Sequence, residues 1–362
     1  MVCNFISLFA LFFDYTGSVS IVYLREYIIT KENINKPVNY YLITGGCGFI
    51  GTTLISRIIL TNPNCKIRVL DNLTTGNSLD LSEVVSFHIG KIGNLSLRSD
   101  SVELVEGDIR DSYLLQMCAV DVDCIVHLAA NTGVGPSVED PRLDMECNVI
   151  GTFNALEAAR LQGVKKFIFA SSGAPAGEVD PPIHEELPPH PVSPYGASKL
   201  AGEGYCSSYF RTFGIDTVCL RFGNVYGPRS KKKSSVVAKF IRQALQGEPC
   251  IIYGDGTQTR DFLYIDDLVR AVILAIDKPV GGETFQIATG MERTVGEVAT
   301  IIAEALGKRG IAMRVGHDSP RLGDVMRNYS DTSKAARMLG WTTEMEVPDG
   351  IERTLDWFLA QK

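Results

Sequence analysis

The stretch Thr44-Gly45-Gly46-Cys47-Gly48-Phe49-Ile50-Gly51 restricts the folding of this chain more than any other. It follows an apolar run, 40–44, that predicts a strand, and it runs on into a helical pattern. Glycines 45, 48 and 51 let the backbone turn sharply, approach a pyrophosphate and pack the next helix on the sheet. The first N–H groups of that helix then face the phosphates. A strand, a glycine turn and a helix open a βαβ unit, which requires a parallel sheet around it.

The rest of the chain supplies one. Predicted strands lie at 40–44, 66–70, 102–106, 124–128, 166–170 and 217–221, with helical stretches between most of them. In 151–161, Phe153, Leu156 and Ala159 are spaced for a single helix face. This alternation predicts an α/β fold, a doubly wound parallel sheet of the Rossmann kind, with ligands at the carboxyl ends of the strands. Beyond about residue 225 the rhythm loosens. Helices are expected at 235–246, near 265, at 295–306 and at 348–359, and strands at 250–253 and 284–287. The chain therefore divides into a dinucleotide-binding domain, 38–225, and a smaller, partly interleaved C-terminal substrate lobe, 226–362. Residues 1–37 read as an N-terminal extension. Its segment 2–13 is almost wholly apolar but lacks a basic leader and is too short to span a bilayer as a helix. A weak signal or membrane anchor, a mis-assigned start, and a poorly ordered or loosely packed extension stay open, and no membrane partner is expected.

Charge and cysteine usage narrow the function. Lys and Arg number 35 against 42 Asp and Glu, a formal charge of −7, which argues against a nucleic-acid surface. One basic run, Arg229-Ser230-Lys231-Lys232-Lys233, reads as a solvated loop, with attraction of an anionic substrate as the alternative. The nine cysteines show no C-x-x-C spacing and the five histidines no metal-ligand spacing. Reduced thiols, a cytoplasmic location and no metal site are expected.

Chemistry gathers just after the strands. Asp71 ends the second one, about 20 residues after Gly51. A carboxylate there accepts hydrogen bonds from ribose hydroxyls and repels a 2′-phosphate, so NAD is expected over NADP. Asp108 and Ile109 are placed to flank the adenine, and Leu128-Ala129-Ala130 offers small side chains where backbone must approach the cofactor. Tyr195 and Lys199, in SPYGASK, are four residues apart and share a helix face. A free phenol has a pKa of about 10. A nearby ammonium and a cationic nicotinamide favour its phenolate, making it a usable proton carrier. Ser171 and Ser172 place hydroxyls at the tip of the strand predicted at 166–170.

In order along the chain stand TGGCGFIG, GDIRD, HLAA, the two serines, YGASK, LRFGNVYGPR, GDGTQTRDFLYIDD and RLGD. This set resembles the extended short-chain dehydrogenase/reductases, in their NAD-dependent sugar epimerase/dehydratase branch, over roughly residues 38–360. The resemblance implies that Ser172 bonds the reacting hydroxyl, Tyr195 is the acid/base and Lys199 holds the nicotinamide ribose. It implies further NAD contacts at Phe49, Ile50, Asn72, Asn148, Ser171 and Phe222. For a nucleotide-sugar substrate it implies Thr132, Asn224 on the diphosphate, Arg260 and Arg321 on the phosphates, and Asp324 on the nucleotide ribose. Arginine forks suit phosphate oxygens. A homodimer, paired through helices near 151–161 and 195–213, is implied in the same way.

The resemblance also bears on the reaction. Members that eliminate water carry an Asp-Glu pair directly after the hydroxyl residue, and decarboxylating members carry a glutamate in the same loop. Here Gly173 and Ala174 stand there. What remains is reversible oxidation and reduction at one carbon, a 4-epimerase acting on a UDP-hexose or UDP-hexuronate. The alternatives are another nucleotide-sugar oxidoreductase or dehydratase of the family, and a non-catalytic NAD-binding module. The joint presence of Ser172, Tyr195 and Lys199 speaks against the module. Two departures enlarge the expected sugar pocket. Pro175-Ala176 replaces a common Val-Tyr, and Gly223 a common aromatic. The stretch between Asp71 and Gly107 is longer than usual and receives no role.

Overall fold

The computed structural model describes residues 38–91, 102–320 and 325–361. Val38–Lys362 forms one compact unit. The expected extension, 1–37, and the expected phosphate and ribose contacts Arg321 and Asp324 lie outside the described residues.

Seven strands follow in chain order: β1 (Tyr40–Thr44), β2 (Lys66–Asp71), β3 (Phe87–Ile89), β4 (Val102–Glu106), β5 (Cys124–His127), β6 (Lys166–Ser172) and β7 (Asp216–Phe222). An eighth member of their sheet comes from far along the chain. Beyond β8 (Asn224–Tyr226), β9 (Cys250–Tyr253), β10 (Thr259–Arg260) and β11 (Phe262–Tyr264), β12 (Thr284–Ile287) pairs with β7. The sheet order is β12-β7-β6-β5-β1-β2-β4-β3, and each neighbouring pair is parallel. The order reverses at β1, between β2 and β5, which opens a crevice at the carboxyl ends of these strands. Smaller pairs, β8 with β11, β9 with β14 (Val315–Asp318) and β10 with β13 (Arg293–Thr294), build the C-terminal part.

Alternation along β1 separates two cores. Tyr41 and Ile43 pack with Leu54, Ile55 and Ile58 of the helix Phe49–Thr61 and Leu268, Val269 and Val272 of the helix Ile265–Asp277. Leu42 faces the other way, onto Leu114, Leu115, Leu156 and Ala159. Largely apolar strands are what a sheet covered on both faces demands, and the buried Arg68 of β2 is paired with Glu103 of β4 at 2.8 Å.

Several expectations change in detail. The strand expected at 166–170 runs on to Ser172, so both serines are strand residues, and the strand expected to reach residue 128 stops at His127. The stretch after Asp71 holds a short helix, Ser78–Ser82, closed by a reciprocal Asn77–Asp80 capping box, and the edge strand β3. The basic run is more than a solvated loop. Lys232 Nζ pairs with Asp80 Oδ2 at 2.7 Å, and Lys233 Nζ lies 5.3 Å from the centre of the Phe49 ring. The run is thus packed against the glycine turn, and burial lowers the Lys233 pKa to about 8.

Candidate active site

The glycine turn forms where β1 enters the crevice. Gly45 has φ +71°, and a Cβ there would sit 2.8 Å from the Ala129 nitrogen, so backbones of two strand ends meet at this point. The helix Phe49–Thr61 begins at Gly48 without a side-chain cap and without an acid in its first turn. The N–H groups of Phe49, Ile50 and Gly51 therefore lack intrahelical acceptors, which suits an anion. Beside them, Asp71 is buried, and its two oxygens accept from the Cys47 and Leu73 nitrogens at 2.9 Å each. Each oxygen keeps a second lone pair. Burial raises the Asp71 pKa, opposed by those two N–H groups and by Lys232. At the neighbouring strand ends Asn72 Nδ2 donates to Asp108 Oδ2 at 3.1 Å, and the Arg110 fork holds Asp108 down at about 2. Open N–H groups, an approachable backbone and a paired-lone-pair carboxylate fit the pyrophosphate and adenosine ribose of NAD.

The second half of the site is built on the helix Pro194–Phe213. Ser193 caps it, accepting from the Gly196 nitrogen. Tyr195 and Lys199 then fall on one face, with Lys199 Nζ 5.9 Å from the centre of the Tyr195 ring. Lys199 Nζ donates to the Ala170 carbonyl of β6 at 2.8 Å and lies 4.9 Å from the centre of the Phe169 ring. Burial pulls its pKa down to about 8, against the opposing pull of Asp144 and Glu203. Burial pushes the Tyr195 phenol up to about 12, and hydrogen bonding to Ser172 opposes that rise. The structure thus brings Ser172, Tyr195 and Lys199 together. The loop that follows is a single 3₁₀ turn, Ala174–Ala176, and the Ser172 hydroxyl accepts from its Ala174 nitrogen. The turn packs so closely on the helix that a Cβ at Gly196 would lie 2.6 Å from the Ala174 oxygen.

Asn148 ties the two halves. Its Oδ1 accepts from the Asn131 nitrogen at 2.8 Å, and its Nδ2 donates to the Asn131 carbonyl, to Asp144 Oδ1 and to Ser198 Oγ at 3.0–3.1 Å. Asn148 sits in a π turn, Glu146–Ile150, that widens the helix locally. Ser171, expected at the cofactor, donates its hydroxyl to Glu203 Oε1 at 2.6 Å, and Arg221 forks the same carboxylate. Thr132 is exposed beyond β5, and Phe222 ends β7 half-buried. Asp144, Ser198, Glu203 and Arg221 escape a sequence reading, because a buried polar group inside an amphipathic helix or strand has no periodic signature.

Asn224 and Arg260, the expected phosphate contacts, come together on one cavity of about 250 Å³, lined also by Ser235, Tyr253 and Phe262. Arg260 donates to the Thr259 and Val325 carbonyls at 2.6 and 2.7 Å.

The chain matches the model of the NAD dependent epimerase/dehydratase family over residues 41–288. It is 36% identical over 322 residues to the UDP-glucose 4-epimerase of Mycolicibacterium smegmatis, covering 88% of this chain and 97% of that one. A dTDP-glucose 4,6-dehydratase of Streptomyces antibioticus is 32% identical, over 88% of this chain and 91% of its own. Among solved structures, the Thermus thermophilus UDP-glucose 4-epimerase in complex with NAD is similar with a TM-score of 0.78 and 35% identity, over 89% of this chain and 100% of that chain. With its glycine turn, Asp71 and the Ser172–Tyr195–Lys199 group in place, this chain belongs to the NAD-dependent epimerase/dehydratase family.

Proposed function

We propose that the protein is a nucleotide-sugar 4-epimerase, acting on a UDP-hexose or UDP-hexuronate. The observation that carries this reading is the turn after Ser172. Gly173, Ala174 and Pro175 bring no carboxylate, and the next acid in the chain, Glu178, is exposed. Elimination of water needs a second acid/base group beside the first, whereas inversion at C4 needs only one proton carrier used twice. When bound, NAD supplies reversible acceptance of hydrogen from the sugar carbon.

The residues of this chain supply the rest. Tyr195 takes the proton of the C4 hydroxyl and later returns it, with Ser172 orienting that hydroxyl. Lys199, fixed by the Ala170 carbonyl, keeps a positive charge near the phenol and holds the nicotinamide ribose. Asn224 and Arg260 grip the diphosphate, so the oxidised sugar can rotate about its tether and present its other face. Small residues at Ala176 and Gly223 leave room for a large substituent. The described residues contain no helix long and apolar enough to cross a membrane, and we place the enzyme in the cytoplasm as a homodimer.

Incubation with UDP-glucose, UDP-N-acetylglucosamine and UDP-glucuronate tests the reading, with products separated by C4 stereochemistry. We expect a C4 epimer from at least one, with no net consumption of added NAD. A 4-keto-6-deoxy product, or no product from the whole panel, would sink it.

A further inference from the structure

Asp144 lies in the short helix Pro141–Met145 and is 1% exposed. Its Oδ1 accepts from Asn148 Nδ2 at 3.0 Å. Its Oδ2 is sealed from solvent and meets no hydrogen-bond donor among the described residues. Burial raises the Asp144 pKa, and hydrogen bonding to Ser198 and the Lys199 charge oppose that rise, so a carboxylate in that condition stays ionised only where a positive charge answers it. The helix packs against Pro194–Phe213, and the carboxylate acts electrostatically on both Lys199 and Tyr195. The Asn148 amide that holds Asp144 also reaches Ser198 Oγ, whose hydroxyl donates to the Tyr195 carbonyl at 3.0 Å. The same network therefore grips the helical turn that presents the reactive pair.

The charges around Lys199 single out Asp144. Lys199 is 3% exposed. From its own helix it faces Tyr195, Glu203 and Cys206, and burial keeps Cys206 a thiol. From β5 it faces His127, whose pKa burial lowers to about 3, so that ring is neutral. From β7, Arg221 is spent on Glu203 through bonds of 2.8 and 2.7 Å, with Cys219 beside Cys206. Glu203 thus has its own cation. Among the described residues, Asp144 is the facing anion without one.

We propose that Asp144 is a positioning residue, the counter-charge that keeps Lys199 an ammonium beside the Tyr195 phenol. The proposal rests on the assignment of Tyr195 and Lys199 as the reactive pair. Its sign is clear at the lysine, since a facing carboxylate raises proton affinity there. At Tyr195 the same carboxylate opposes the phenolate directly while supporting the ammonium that favours it. The lysine is therefore the group to read.

The test uses the full chain labelled with ¹³C at lysine Cε and titrated by NMR. The Lys199 signal is identified by its loss in Lys199→Met. In Asp144→Asn we expect the Lys199 midpoint to fall by about one pH unit, tenfold in proton affinity, or more. In Asp144→Glu it should return toward the wild-type value, and the alkaline limb of kcat should follow the lysine midpoint while KM holds. An unmoved Lys199 midpoint in Asp144→Asn overturns the proposal. Should that variant not fold, the aspartate ¹³Cγ titration of the unmodified protein decides. Asp144 ionised at pH 7 upholds the counter-charge, and a carboxyl still protonated there refutes it. A shifted lysine midpoint in a protein that epimerises none of the UDP-sugars would retain the counter-charge and remove the proposed reaction instead.

Discussion

Tyr195 has two opposing demands on it. Burial pushes its phenol up to about 12, out of reach of neutral pH, while the proposed chemistry asks it to give up a proton there. In the proposed chemistry the Lys199 ammonium and a cationic nicotinamide, when bound, would close that gap. Two outcomes follow at this scale. Tyr195→Phe should lower kcat by about 10²–10⁴-fold, the usual weight of a positioned acid/base group, and leave the NAD content of the purified protein unchanged. Stopped assays together with NAD released on denaturation check both. Lys199 has its pKa lowered to about 8, so its charge is present below that pH and lost above it. The kcat profile should accordingly fall on the alkaline side near pH 8, as the phenol loses its cationic neighbour, and a rate still climbing through pH 9 would contradict the pairing. This candidate group was legible in the sequence because its spacing is local: Tyr195 and Lys199 are one helical turn apart, and Ser172 ends an obvious strand. Asp144 was not, since nothing in PRLDM marks its aspartate as buried. Its burial comes from the packing of that short helix on Pro194–Phe213, a contact made across fifty residues of chain and invisible to local pattern.

Between elements, His127 acts as a tie. It ends β5 with Nδ1 2.8 Å from Thr44 Oγ1 of β1 and Nε2 3.2 Å from Thr152 Oγ1 of the helix Gly151–Gln162. Thr152 in turn donates to the Asn148 carbonyl at 2.6 Å, so the switch point of the sheet and the π turn are joined through one neutral ring. Burial lowers the His127 pKa to about 3 from an ordinary 6.5. Between those values the unfolded chain binds a proton that the folded chain refuses. Its contribution to stability is thus complete above about pH 6.5 and lost as the pH falls toward 3, with a slope of up to about 1.4 kcal/mol per pH unit. Urea unfolding at stepped pH should show that slope, and His127→Gln should reduce it even though the variant is less stable at pH 7. An identical acid slope in the variant would assign the loss to other groups. At this scale the main elements were readable because strands buried on both faces are apolar runs and the amphipathic helices between them carry a period. β3 was not: Phe87-His88-Ile89 is three residues long with a polar residue at its centre, and only its pairing with β4 makes it a strand.

For the whole molecule, the helix Pro194–Phe213 has two occupations. Its inner face carries Tyr195, Lys199 and Glu203, and its outer face leaves Tyr205 and Phe213 exposed. The neighbouring helix Gly151–Gln162 exposes Phe153 and Leu161, and Phe153 meets Tyr205 edge to face at 5.5 Å between ring centres. Met145 and Ile150, shortly before that helix in the chain, are exposed too. Aromatic rings paired on an outer surface are what the centre of a protein–protein interface supplies. A pair of helices from each of two copies is the homodimer proposed here, and a stable one buries about 1,200–2,000 Å² in total. A charge at its middle would be desolvated without a partner. Tyr205→Glu should therefore give a monomer in sedimentation velocity where the unmodified protein gives a dimer. Because Tyr205 faces away from the buried Lys199, the variant should keep its fold and its NAD. Its kcat should drop only as far as the dimer stiffens the shared helix, by less than the loss in Tyr195→Phe. Should the unmodified protein sediment as a monomer at micromolar concentration, the exposed rings serve something else, and the reactive pair must be held rigid by Asn148 and the buried Glu203–Arg221 bridge alone.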